Sequence, residues 1–584
     1  LSDGTTNPLY DAFLPNRNFT KMQEFTEQLS VDWFIREGLR LKGQISIVKG
    51  ETSGENYKSP FSAEFLNTVY NSENRMQEYL PIAKRGYLSM TDGSSLGYNG
   101  NITLNYNTLF GEKHILYAGI GCEVKQDDSN SHGFTLTGFP DDRYSDPAFA
   151  IQFKENSRAT SDESKSRSIG FFANGNYIYD DRYFADVSVR IDGSSKFGVD
   201  KRFAPFWSVG AGWNVHNEKF FKSTKVSMLK LRYSYGVTGN QEFSAYQAQT
   251  MFQFNTDRLY NSSVTAEWQN QYQSNFGLDF GYAKDRIRVQ FNYYLKKTQG
   301  LLTTITVAPS LGFPSDNYTA NLGEIQNKGL EVNLKAVIIR DMEKELEWSV
   351  MFQAANNKNK IRKISTALRT VNDENNKNTQ VPGAVYEEGE SMSAIKAVRS
   401  LGIDPTTGKE LFVKKNGELT YTWDAEDKVI CGDTEPKVFG NFGTNLYWKG
   451  WNLNMVFKYN FGADYYNSTL AQRVEGADPA KNADRRVLKD RWKEPGQHAL
   501  YKNIKDYKTT YISSRFVQKD NTVQLSTLSL SYVVNKAWIS RFGMNTLRLS
   551  FYMNDVFRAS TVKNERGIDY PFQRSFVFGL NVSF

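Results

Sequence analysis

The sequence predicts an all-β protein, a transmembrane antiparallel β-barrel with about 17 strands in this chain. Three observations predict it. The 584-residue chain is rich in aromatics, with 33 Tyr and 40 Phe, yet polar on average, with a mean hydropathy of −0.56. Strands with one apolar and one wet face have that composition. Apolar residues alternate with small or polar ones in runs of about ten, the length of a tilted membrane-spanning strand. The connections between runs alternate short and long, as periplasmic turns and extracellular loops do in such barrels.

Taken in order, the first run (about 23–35) ends at the short turn 36–37. After the turn at 110–113, Leu116, Ala118, Ile120, Cys122 and Val124 form the apolar face of a strand. Ile169, Phe171, Ala173, Tyr177 and Tyr179 lead into the tight DDR turn, and Tyr183, Ala185, Val187, Val189 and Ile191 lead out of it. VGAGWN (209–214) reads as a strand with Trp207, Val209, Ala211 and Trp213 outward and Ser208, Gly210 and Gly212 inward, rather than as a nucleotide-binding glycine pair. The stretch RIRVQFNYYL opposes Ile287, Val289, Phe291, Tyr293 and Leu295 to Arg288, Gln290 and Asn292. Leu346, Trp348, Val350, Phe352 and Ala354 repeat the rhythm, as do Trp451 to Phe461 and Leu547 to Met553. The last strand carries Phe576, Phe578, Leu580, Val582 and Phe584 on a lipid face, with Gly579, Asn581 and Ser583 facing the lumen. In a closed barrel the final strand must pair with the first, so it does not fray into a tail.

Short connections fall near 36–37, 110–113, 180–182, 215–227, 283–284, 340–344, 449–450 and 535–544. Long ones fall near 49–97, 127–165, 238–272, 297–325, 357–437, 462–520 and 557–573, with a shorter member at 194–201. Tyr179, Tyr183, Trp448 and Trp451 flank short turns and would form an interfacial aromatic girdle. A soluble repeat protein would show Gly- or Asp-based repeats of fixed period, and none occur.

Other classes are excluded by the same reading. The net charge of +7 is spread over 71 basic and 64 acidic residues without clusters, so no nucleic-acid partner is expected. No apolar run reaches the ~20 residues of a membrane-spanning helix. The first residue is Leu, without a signal peptide ahead of it, which reads as a processed chain or a piece of a longer one. Cys122 and Cys431 have no metal-ligand spacing, and a disulfide between them lacks support. The four histidines are dispersed, no HExxH, GxSxG or P-loop motif occurs, and DDSNSHG (127–133) lacks the later Glu of a calcium loop. Neither catalysis nor a metal or other cofactor is expected.

RIDGSSKFG (190–198), LRYSYGVTGNQ (231–241), LGEIQNKGLEV (322–332), GDTEPKVFGNF (432–442), SRFVQKDNTVQLSTLSLSY (514–532) and NDVF (554–557) occur in an order that resembles the SusC-like TonB-dependent transporters of Bacteroidetes. The first 170 residues carry no such motif. Physical roles suit these stretches as builders of the fold. Arg190 and Asp192 face the lumen at a strand's outer end, and Gly236 and Gly239 let the chain leave its strand. The terminal Phe also resembles the signal that such barrels present to their insertion machinery.

The resemblance implies a barrel of about 22 strands plugged by an N-terminal domain. Counted back from the end, the first strand here would be the sixth. Residues 1–22 would then close an extracellular loop and 23–584 would form the C-terminal part of the barrel. The plug, the TonB box and the early strands would lie in a separate polypeptide or in another segment of one covalent chain. The implied function is TonB-dependent import of a bulky oligosaccharide or peptide across the outer membrane of a Gram-negative bacterium. A SusD-like surface lipoprotein would cap the pore, touching loops 238–272 and 297–325. Tyr421, Trp423, Tyr465 and Tyr466, from YTWD and ADYY, offer aromatic faces for substrate stacking, or else pack the loops together. A passive porin and a barrel-anchored receptor or adhesin are the alternatives.

Overall fold

The computed structural model describes residues 10–70, 75–197, 202–240, 251–255, 258–262, 269–300, 302–306, 317–321, 323–364, 372, 375–383, 385–478, 484–506, 508–563 and 574–584. Its main element is an 18-stranded sheet, made of seventeen long strands and the two-residue strand Gln152–Phe153. The long strands are β1 (Arg17–Arg36), β2 (Leu39–Lys58), β3 (Tyr87–Phe110), β4 (His114–Thr137), β5 (Thr160–Tyr179) and β6 (Tyr183–Ser194). They continue as β7 (Phe203–Asn214), β8 (Val226–Asn240), β9 (Gln269–Tyr282), β10 (Ile287–Gln299), β11 (Gly323–Asp341) and β12 (Leu346–Ile364). The last five are β13 (Val438–Trp448), β14 (Trp451–Tyr466), β15 (Val517–Val533), β16 (Thr546–Ser560) and β17 (Phe576–Ser583). Each pairs antiparallel with its neighbour in sequence, so the backbone ladder satisfies the polar groups that lipid cannot. Among the described residues, β1 pairs only with β2 and β17 only with β16.

Register divides the sheet into two unlike faces. Phe280, Val289, Leu334, Phe352, Phe442, Phe457, Leu525 and Phe557 follow one another across β9 to β16. One residue along, the row on the other face reads Asp279, Gln290, Asn333, Gln353, Asn441, Lys458, Gln524 and Arg558. Apolar side chains stand outward, Phe352, Phe442 and Phe557 among them exposed, and amides and charges stand inward, the arrangement of a membrane barrel wall. The turns at the short end are tight. Lys449 (φ 44°) and Gly450 (φ 86°) close a two-residue hairpin between the paired Trp448 and Trp451, the primed geometry whose twist suits antiparallel strands.

The strands extend further than alternation alone indicates, and the expected boundaries are corrected accordingly. Pairing persists to Lys58 and resumes at Tyr87, so the loop expected at 49–97 is confined to 59–86. The loop expected at 127–165 narrows to 138–159, and DDSNSHG lies inside β4, paired on both sides. Likewise β1 starts at Arg17, not near 23. Beyond the lipid boundary both faces of a strand meet water. The outward residues then turn polar and the alternation fades while the hydrogen-bond ladder continues.

The described parts of the long connections 385–437 and 467–516 build a second layer above the outer end of the wall. A four-stranded sheet (Ala394–Ile403, Glu410–Val413, Leu419–Thr420 and Lys428–Asp433) packs against the segment around 512–516. Val398, Ile512, Phe516, Ala471 and Val474 are buried there, forming an ordinary water-excluding core.

Candidate functional site: the lumen wall and the outer loop core

The lumen face is built from neutral amides tied to a few compensated charges. The Arg190 guanidinium meets Glu123 at 3.1 Å and Asp192 at 2.5 Å, and Arg232 donates twice to Asp279 at 2.8 Å while reaching Asn292 at 3.0 Å. Glycines make room for the large inward groups. At Gly212 a Cβ would lie 1.7 Å from the Phe184 ring, over which Lys230 Nζ stands 4.0 Å from the centroid. Near the outer end, Glu435 accepts from Asn357 and Asn359, and Asn357 accepts from Tyr294 at 2.9 Å.

The outer core is locked by Arg515. Its guanidinium meets Glu410 at 2.8 Å and Glu475 at 2.6 Å, and Glu475 is only 3% exposed. Thr510 Oγ1 also donates to Glu475 (3.2 Å). A buried charge is tolerated when it is paired and its remaining lone pairs are filled, and both conditions hold here. Arg491 has another role: it donates to the carbonyls of Val487, Val474, Glu475 and Lys502, fastening three loop segments. Lys428 donates to the carbonyls of Asn376 (2.6 Å) and Asn378 (2.9 Å), and burial lowers its pKa from the ordinary lysine value.

The four loop aromatics take different places. Trp423 stacks on Tyr511 (5.0 Å, 11°), donates to the Ile512 carbonyl at 2.9 Å and has Lys428 Nζ 5.5 Å from its ring. Tyr466 packs edge-on against buried Phe516 at 6.1 Å. Both therefore converge on the 511–516 segment and hold the layer to the wall. Tyr465 is half-buried at the end of β14. Tyr421 is 49% exposed, with its hydroxyl donating to Asp404 at 2.6 Å. Loops 238–272 and 297–325 lie largely outside the described residues, apart from the hairpins 251–262 and 302–321, described in part.

At the opposite rim, Tyr179 stacks on Tyr183 (6.5 Å), Tyr183 on Trp213 (6.4 Å), and Trp451 lies 4.6 Å from Tyr532. Trp448 is exposed beside its turn. The polar tips are anchored: Tyr183 Oη and Trp213 Nε1 both donate to Glu218, at 2.6 and 3.0 Å. Those donors, Tyr183 foremost, hold the Glu218 carboxyl below its usual range. On β17, Phe576, Phe578, Leu580 and Val582 share the face of Met553, Phe551, Leu549 and Leu547, with Phe578 80% exposed and Phe584 following the strand. Cys122 and Cys431 are both free thiols, one in the wall and one in the outer layer.

Arg515, Glu475, Glu410, Arg491 and Lys428 went unrecognised in the sequence. A signal existed for the first, because SRF (514–516) opens one of the motifs that carry the resemblance. Ser514 accepts from the Ser400 amide, Arg515 makes the ion cluster and Phe516 is the buried wedge.

The profile for "TonB dependent receptor-like, beta-barrel" matches residues 2–554. The chain is 24% identical to TonB-dependent receptor P39 of Formosa agariphila, covering 82% of this chain and 52% of that protein. It is 22% identical to TonB-dependent receptor SusC of Bacteroides thetaiotaomicron, covering 84% of this chain and 51% of that protein. The chain thus spans about half the length of the curated relatives it matches. The RagAB peptide importer in its closed-closed state superposes with a TM-score of 0.81 at 22% identity, over 97% of this chain and 63% of that one. The profile match, the SusC-like relatives and the two-faced antiparallel wall agree: this chain is an outer-membrane, non-enzymatic β-barrel that belongs to the TonB-dependent receptor family.

Proposed function

We propose that this chain forms the wall and outer loops of an energised importer that carries a bulky peptide or oligosaccharide across the outer membrane. The observation that carries this reading is the pairing of an amide-lined lumen with a large, rigidly cored extracellular layer, in a chain similar to SusC and to the RagAB peptide importer. A simple diffusion channel needs no such layer. Among the described residues β1 and β17 each have one strand neighbour, which suits a barrel completed by further strands, and we place the plug with its TonB-binding segment with them, in a separate polypeptide or another segment. A SusD-like lipoprotein would sit over the outer layer and deliver substrate. Tyr421, exposed there, is the stacking surface we favour, with Trp423, Tyr465 and Tyr466 supporting it. Phe576 to Phe584 would carry the insertion signal, and Tyr179, Tyr183, Trp448 and Trp451 the interfacial girdle.

The test is uptake of fluorescent oligopeptides and oligosaccharides by native cells with and without this chain, repeated after a protonophore collapses the inner-membrane gradient. Import should be lost in both cases. Uptake that needs the chain but survives gradient collapse would favour a passive channel, and undiminished uptake in its absence would leave only an anchored receptor.

A further inference from the structure

The outward face of the wall is apolar up to a definite level on β11 and β12, and immediately above that level it becomes basic. Across these strands, register places Tyr293, Leu330 and Asn356 in one outward row. The next row up holds Leu295, Lys328 and Lys358, and the one above it Lys297, Gln326 and Lys360. Arg362 follows, donating to Gln326 at 2.6 Å, and Lys437 lies alongside. Lys328, Lys358, Lys360, Arg362 and Lys437 are all exposed and, with the lumen-side Asn357, Asn359 and Glu435, line one cavity of about 600 Å³ that reaches both faces of β12.

Lys328, Lys358, Lys360 and Lys437 have no carboxylate partner among the described residues. Of the carboxylates lining the same cavity, Glu435 and Asp433 keep their charge but stand on the lumen side with Asn357 and Asn359, and Asp464 is ion-paired. Glu435 receives Asn357 and Asn359, Asp433 receives Ser393 at 2.6 Å, and Asp464 meets Lys519 at 2.6 Å. Several outward cations at other strands are paired instead: Lys165 with Asp128 (2.6 Å), Lys49 with Glu51 (3.0 Å) and Lys297 with Glu324 (3.0 Å). Unpaired like charges at this spacing repel one another, so the folded wall keeps them at a cost unless an anion sits among them.

We propose that this patch binds the phosphate groups of outer-leaflet lipid headgroups. Position argues for a lipid as the source. By register Lys328, Lys358 and Lys360 face away from the lumen, directly above side chains that meet acyl chains, where a headgroup phosphate would stand. Lysine is a flexible point-charge partner for phosphate.

The test uses the purified protein with whatever chains accompany it, delipidated in detergent and loaded with bisphosphorylated lipid A or its dephosphorylated form. Retained lipid is counted by native mass spectrometry. At roughly a factor of five per lysine near an anionic surface, the K328Q/K358Q/K360Q variant should retain the bisphosphorylated lipid about a hundredfold more weakly. A control variant, K49Q/K165Q, should retain it like the wild type, and the dephosphorylated lipid should be lost from every form. Should the triple variant fail to fold, the wild type alone decides: high salt should strip the bisphosphorylated lipid selectively. Equal retention by the triple variant, equal retention of the dephosphorylated lipid, or retention indifferent to salt would overturn the proposal. Displacement by inorganic phosphate at matched phosphate concentration would show a site for the free ion instead of the lipid.

Discussion

The wall around Phe352 and the outer layer around Phe516 solve opposite problems with the same amino acids. In the wall, Phe352, Phe442 and Phe457 point away from the protein, and Gln353, Asn441 and Lys458 point into it. In the outer layer, Phe516, Ile512 and Val398 are almost wholly buried, together with a few partnered charges such as Glu475 and Arg491. The wall is held by its backbone ladder and by lipid on its apolar side, so a single polar side chain in the lumen carries little of its stability. The layer stands in water, so its stability rests on core packing and on the few buried charges that tie its segments together.

The comparison breaks most visibly at Arg515. Arg515→Ala leaves Glu475 buried without its partner and should destabilise the outer layer by about 3–5 kcal/mol. Hydrogen exchange would show faster amides through 394–433 and 467–516, with β1 to β12 unchanged; uniform loosening of both regions would mean that they are not separable. Next, Phe352→Arg places a charge among lipid tails and should cost about 2–4 kcal/mol near the midplane, whereas Gln353→Arg, one residue along and facing the lumen, should be close to neutral. Urea unfolding from vesicles of the two variants measures that difference, and equal losses would contradict the assignment of faces. Smaller still, Tyr183→Phe should loosen the short-turn rim by freeing Glu218, read as faster exchange of the amides at 215–221 with the outer layer untouched.

The smallest effect is a pH response confined to the outer layer. The hydrogen bond from Tyr421, with those from Thr406 and Thr407, holds the Asp404 carboxyl down to about 2. A carboxyl lowered on folding contributes stability in full above its unfolded value, 3.8, and loses it as the pH falls through about 2. Exchange at Gly408, whose amide bonds the Asp404 carbonyl, should therefore quicken between those limits, and Tyr421→Phe should move that change to higher pH. The turns of the wall should show no such step.

Much of the wall was legible because its solvent changes from one side to the other, so the period of two is written directly into residue type. Phe352 beside Gln353 is readable without any partner. The upper parts of β2 to β5 were not, because residues such as Lys49, Glu51, Asp128 and Lys165 meet water on both faces and leave only the ladder to mark a strand. The outer layer was least legible. Arg515 finds Glu410 at a separation of 105 residues and Glu475 at 40, and no local periodicity encodes such pairings. Trp423 was visible as an aromatic, but that its ring is engaged by Tyr511 and Lys428 depends on a segment almost ninety residues away.

The most direct test of the two-faced wall is a spin-label scan along β12, from Leu346 to Ile364, with the protein in lipid vesicles. Collisions with oxygen should peak at Trp348, Val350, Phe352 and Ala354, alternating with water-accessible Ser349, Met351, Gln353 and Ala355. From Asn356 upward the oxygen peaks should vanish and both phases should become accessible to a water-soluble relaxant. A scan with no period of two, or with its phase reversed so that Gln353 meets lipid and Phe352 meets water, would contradict the account.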